Sequence, residues 1–236
     1  MSRQNRRLTC AYCRQEGGTN EHVFARAFFL ERDRPNLPTA PACEKCNGRK
    51  AQYENYATAI LPFAGRHDAC IELLEAAEAK LQSNQKLLRD LRDGQGFEVV
   101  QTEDYRYEMR ATLPIDFEPI LRLFEMIAHG LIWHHWEYLL PHDCGVRAIA
   151  MNSTVTDTYL RELTKGRDYT EAVVGDASFK YEGLRAVDAD RSSVWRFQIF
   201  GGAEFGVSGS AEIINEVLVT TGKQDFIWDL IDGEAA

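Results

Sequence analysis

In the segment SVWRFQIF, residues 193–200, Trp195, Phe197 and Ile199 alternate with Arg196 and Gln198. A period of two is that of a strand with one face on a core and the other in water. Comparable runs follow or precede it at FKYEGLRAV (179–187), AEFGVS (203–208) and NEVLVTTG (215–222), separated by Gly, Ser and Asp turns. The chain after Arg167 therefore reads as an antiparallel meander. FEVVQ (97–101) and YRYEMRATL (105–113) read as two strands around a turn at Glu103-Asp104, and VRAIAM (146–151) as one more.

Elsewhere the spacing is helical. Ile71, Leu74, Ala77, Leu81, Leu88 and Leu91 recur at three to four residues, with an interruption at Asn84 and a stop at Asp93-Gly94. From Phe117 to Leu139 apolar residues occupy nearly every face, which predicts a central, mostly buried helix. A helix is expected from Cys46 to Pro62, and a short one over TDTYLREL (156–163) with Thr156 or Asp157 near its cap. The fold class expected is α+β: a distinct N-terminal module over 1–66, then a helical and antiparallel-sheet region over 67–236.

Charge divides the chain at nearly the same place. The total is −9, yet residues 1–70 hold 11 Lys and Arg against 7 Asp and Glu, net +4, and the remainder holds 16 against 29, net −13. An acidic body bearing a basic module is the picture this gives. Hydrophobic residues at 44% are enough for a core and exclude a disordered chain. With no run of about 18 apolar residues and no signal-like N-terminus, a soluble cytoplasmic protein without membrane contact is expected.

The six cysteines sharpen the N-terminal module. Cys10-x-x-Cys13 and Cys43-x-x-Cys46 have the spacing by which paired thiolates face one tetrahedral zinc ion, while Cys70 and Cys144 stand alone as small buried hydrophobes. A four-thiolate site leaves no open position, so this zinc is expected to be structural. Arg14, Lys45 and Arg49 lie near enough in sequence to offset its negative charge.

Between the pairs stands Glu21-His22-Val23-Phe24, and the second pair continues as Cys46-Asn47-Gly-Arg-Lys50. Over residues 8–66 this order resembles the zinc-stapled HNH endonucleases. That resemblance implies a ββα-metal module in which His22 activates water against a phosphodiester bond. It also implies that Glu21 and Asn47 hold a catalytic divalent cation, Mg²⁺ or Mn²⁺, and that a middle asparagine, here Asn36, orients the base. A neutral imidazole suits proton abstraction, and Mg²⁺ needs few protein ligands. Arg26, Arg49 and Lys50, with Arg32 and Arg34, are candidates for gripping the phosphates of nucleic acid, DNA in the first instance. Glu21 and His22 reach one site only if the strand ends or bulges there. Glu54 is read as the partner of an Arg or Lys, being roughly 10 Å along the helix from Asn47.

A second reading keeps the zinc and drops the catalysis: a module that binds nucleic acid or protein. The acidic remainder is expected to restrain the nuclease, recognise a protein partner or self-associate. His129, His134 and His135 carry no metal-ligand spacing and are read as satisfied or partner-facing.

Overall fold

The computed structural model describes residues 9–101, 104–154, 156–157, 160, 168–186, 192–206 and 213–223. The chain opens with β1 (Thr19–His22), two short 3₁₀ turns (Arg26–Phe28 and Glu31–Asp33), β2 (Thr39–Ala42) and α1 (Glu44–Ile60). β1 and β2 are antiparallel, with Glu21 opposite Ala40 and His22 opposite Thr39. α1 begins two residues before Cys46 because Cys43 is its N-cap, its sulfur accepting from the Cys46 N–H at 3.5 Å. Pro62 ends it in a 3₁₀ turn, Leu61–Ala64.

The helical pattern of 67–92 is broken into α2 (Ala69–Ser83) and α3 (Gln85–Asp93). Asn84 leaves the helical region and caps α3 through its side chain, 3.1 Å from the Leu87 N–H. β3 (Gly96–Gln101) and β4 (Tyr107–Thr112) pair as an antiparallel ribbon apart from the other strands. α4 (Glu118–Trp136) follows as the central helix. Then come β5 (Cys144–Met151), β6 (Asp168–Val174), β7 (Phe179–Arg185), β8 (Ser193–Ile199), β9 (Phe205–Gly206), β10 (Ile213–Ile214) and β11 (Glu216–Lys223). Five of them make one antiparallel sheet in the order β5-β11-β8-β7-β6, while β9 and β10 pair separately.

The architecture is α+β. β6 escaped the sequence pattern because, as an edge strand, it leaves Tyr169 and Val173 exposed. The helix expected at 156–163 lies largely outside the described residues. Among the described residues no helix is long and apolar enough to cross a membrane.

α4 is mostly buried because it is sandwiched. Its Phe124 meets Phe197 of the sheet at 5.1 Å between ring centres, and on another side α4 packs on α1. Phe24 and Phe28, from the turn after β1, pack against Phe179 at 4.8 and 5.5 Å. One hydrophobic core thus runs from Ala11 and Val23 through α4 to Trp195 and Val219, crossing position 66. At Gly130 a Cβ would come within 2.8 Å of Val23, so α4 lies close against the residue that follows His22.

Candidate metal centre and the ion cluster beside it

The sulfurs of Cys10, Cys13, Cys43 and Cys46 lie within 4.8 Å of one another. Sulfurs bound at about 2.3 Å to one tetrahedral ion stand about 3.8 Å apart. Cys13 and Cys43 are at 3.6 Å. The chain builds this from two local structures. Cys10 and Cys13 sit on a tight turn, closed by Cys10 N–H to Gln15 O (2.7 Å) and Arg14 N–H to Cys10 O (2.9 Å). Cys43 and Cys46 occupy the N-cap and first turn of α1. A bond from the Ala11 N–H to Pro41 O, 2.8 Å, ties the two halves together.

Electrostatics also favour a cation here. Burial raises the Cys43 thiol, but the Cys46 N–H and the neighbouring thiols outweigh it and draw Cys43 down to about 7. Burial and the adjacent thiols push Cys46 up. Four thiolates this close repel one another unless a metal binds them, and zinc suits the set. Arg49 lies 3.7 Å from the Cys46 sulfur, the charge-offsetting place expected of it. Arg14 turns away, donating to Leu139 O at 3.4 Å.

One turn further along α1 lies a second polar cluster. Lys50 is fully buried, with 0% of its surface exposed. Its ammonium donates to His22 O at 3.0 Å and to the Glu54 carboxylate, and it touches Glu21 Oε1 at 2.6 Å. The contact with Glu21 is a close ion pair, and against the raising effect of burial Lys50 and the Tyr12 hydroxyl both lower its carboxyl. Lys50 therefore cannot grip phosphate from the surface, which corrects that expectation. Glu54 pairs with a lysine, as its position on the helix had indicated.

β1 contains both Glu21 and His22 in unbroken register, so its alternation sends the two side chains to opposite faces, and the end or bulge expected between them is not made. Burial raises the Glu21 carboxyl against the lowering charge of Lys50. Burial, aided by Arg26 and Lys50, lowers the His22 imidazole and keeps it neutral at pH 7; Glu54 opposes this. The His22 Nδ1 is buried with no hydrogen-bond partner, while the Tyr12 hydroxyl and Lys50 both lower the Glu21 carboxyl. Sequence reasoning missed Tyr12, whose aromatic side chain between two zinc ligands carries no polar pattern of its own.

Asn47 occupies the first turn of α1, partly buried and on the same helical face as Lys50. Asn36 is exposed in a left-handed turn, φ 61°. With no partner on His22 Nδ1, the orienting bond expected of Asn36 is not made there, because the turn carries that side chain into solvent. Arg26 is exposed near His22, whereas Arg32 is bound to Glu72 and Arg34 to the carbonyls of Arg26 and Phe29.

A second, divalent cation can be tested against this cluster. Two carboxylates against one ammonium leave one negative charge. That fits a cation bound through Glu21, though by a carboxylate already shared with Lys50. Among the described residues the four cysteines are the cluster in which three or more His, Cys, Asp or Glu side chains converge. An ion at Glu21 would thus rely on few protein ligands and on water, as Mg²⁺ does.

The α4 histidines are structural. His135 Nε2 meets the Tyr181 hydroxyl at 2.9 Å and Nδ1 the Thr170 hydroxyl at 3.3 Å. Burial lowers His129 and His135 to about 4, with Arg14 adding to the first and His134 to the second. Comparison with known proteins finds no matching family model, no similar curated protein and no similar solved structure.

Proposed function

We propose that the chain is a metal-dependent endonuclease of the HNH type, hydrolysing phosphodiester bonds of nucleic acid, with His22 as the base. The observation that carries this reading is the His22 imidazole itself. It is neutral and partly buried, its Nδ1 has no hydrogen-bond partner, its carbonyl is pinned by Lys50, and next to it in the chain is the Glu21 carboxylate. A neutral imidazole takes the proton of an attacking water at neutral pH. Arg26, exposed nearby, positions the phosphate by charge. A divalent ion held by Glu21, with Asn47 on the adjacent helix turn, would stabilise charge on the phosphate and leaving oxygens. Zinc on the four cysteines fixes the start of α1, and with it the bearing of Asn47 and Lys50 toward His22.

The same cluster supports a second reading, a zinc-bearing binding module without catalysis. What favours it is the ammonium of Lys50 against Glu21, which makes the carboxylate part of a closed structural ion pair.

Incubating the purified chain and its His22→Ala variant with plasmid and single-stranded DNA, in Mg²⁺, Mn²⁺ or EDTA, separates the two. The nuclease reading expects metal-dependent nicking reduced by about 100-fold or more in the variant, the usual span for loss of a general base. Binding of DNA by both proteins without cleavage in either metal leaves the binding module.

A further inference from the structure

The β3–β4 ribbon wears its apolar residues outward. In its register Val99 lies opposite Met109 and Gln101 opposite Tyr107, so Phe97, Val99, Tyr107 and Met109 share one face. These four are between 67% and 74% exposed, with exposed Tyr105 at the turn and Leu113 at the exit. Glu98, from the opposite face, is half-buried and lines a cleft with Thr112 of the ribbon and with Arg66 and Glu204 of the body. A slip of one residue would turn the apolar set inward, yet the pairing holds the opposite arrangement. A two-stranded ribbon is marginal in water unless something packs on it.

We propose that this face is the interface of a two-fold dimer of the chain. By ordinary side-chain areas, the six exposed residues offer roughly 800 Å² per copy, so a symmetric contact would bury roughly 1,600 Å², the size of a stable interface. Patches of this extent are rare on monomers. Charge selects the occupant. Residues 96–113 carry Glu98, Glu103, Asp104 and Glu108 against Arg106 and Arg110, net −2 on a chain of −9, which repels a phosphate backbone. The face itself holds no charged residue, so an identical face meets it without like-charge repulsion. An isologous contact needs such self-complementarity, and C₂ pairing is the commonest form of closed assembly. The inference stands on the ribbon alone and does not depend on catalysis. If the chain is a nuclease, the dimer carries two His22 sites.

Sedimentation equilibrium of the full chain between 1 and 100 µM tests this, alongside a Val99→Lys, Met109→Glu double variant. The expected result is a wild-type mass twice the 26.8 kDa of the chain and a variant of single mass, its dissociation constant raised at least 100-fold. Both substitutions sit on the exposed face, so the variant should keep its zinc content and melting temperature. Amide exchange in the wild type gives a reading that needs no variant: exchange over 96–112 should slow as concentration rises. A wild type that stays monomeric, a double variant that dimerises like the wild type, or ribbon exchange indifferent to concentration each overturns the proposal. Binding of a single-stranded oligonucleotide by a monomer, lost in the variant, overturns it too and assigns the face to stacked bases.

Discussion

Among the described residues, the ion cluster of the sheet and the one beside the cysteines are built differently. In the sheet, Arg196 forks onto Glu216, Nε to Oε2 at 2.9 Å and Nη2 to Oε1 at 2.6 Å, while Nη1 reaches Asp157 at 2.7 Å. Both Glu216 oxygens are hydrogen-bonded and its side chain is wholly buried. Beside the cysteines, one Lys50 ammonium serves Glu54, Glu21 and the His22 carbonyl together, and the His22 Nδ1 is left without a partner. The planar guanidinium matches a carboxylate bidentately, whereas an ammonium is a point charge that several groups must share. A closed cluster of the first kind ties strands together. The shared ammonium lies beside the neutral histidine, whose Nδ1 has no hydrogen-bond partner.

Removing the metal should have the largest effect. Structural zinc sites carry apparent binding energies of about 10–16 kcal/mol, and here the ion would join the Cys10 turn to the start of α1. One zinc per chain is expected by elemental analysis, and Cys46→Ser should lose it along with the near-ultraviolet circular dichroism of the aromatic-rich N-terminal part. A variant that melts like the wild type would show that the cysteines are not a structural centre.

Deleting either cation comes next. Lys50→Met strands Glu21 and Glu54, and Arg196→Met strands Glu216, each at a cost of roughly 3–5 kcal/mol in denaturant unfolding. The carboxylates should then divide the clusters. Glu216→Gln breaks a bidentate pair and should cost about 2–4 kcal/mol, while Glu21→Gln, which leaves Lys50 its Glu54 partner, should cost about 1 kcal/mol. Equal losses would mean that the Lys50 cluster is as closed as the other.

The smallest effect is in pH. His129 and His135 are lowered by burial to about 4, so between pH 6.5 and 4 the unfolded chain binds more protons than the native one. Their contribution is therefore full above pH 6.5 and lost as pH falls through that window. The raised Glu21 carboxyl has the opposite slope, its burial costing stability as pH rises above the ordinary carboxylate range. Melting temperature should fall from pH 7 to pH 5, and fall less in His135→Gln.

Much of the secondary structure was legible beforehand, for identifiable reasons. Alternation in SVWRFQIF gave β8 because one face is buried in the core, and the all-round apolar helix of 117–139 is α4 sandwiched between sheet and α1. The edge strand β6 was not legible, since an exposed Tyr169 and Val173 blur the pattern. At the site, the four cysteines could be read from spacing alone, as a metal fixes the geometry of its own ligands. Lys50 could not. A lysine in a basic stretch looks like surface charge until the fold places two carboxylates against it.

The sequence by itself determined the local features: a period of two or of 3.6, a helix starting near the second cysteine pair, two thiol pairs two residues apart, a histidine next to a glutamate. Each depends on neighbours along the chain. Tertiary structure decided which charges meet, which face of the β3–β4 ribbon points outward, and that one core runs past position 66 to join the cysteine region to the sheet. Those depend on residues brought together from distant positions, as Glu21 with Lys50 and Phe24 with Phe179. Burial then fixes protonation and pairing, and neither follows from residue type alone.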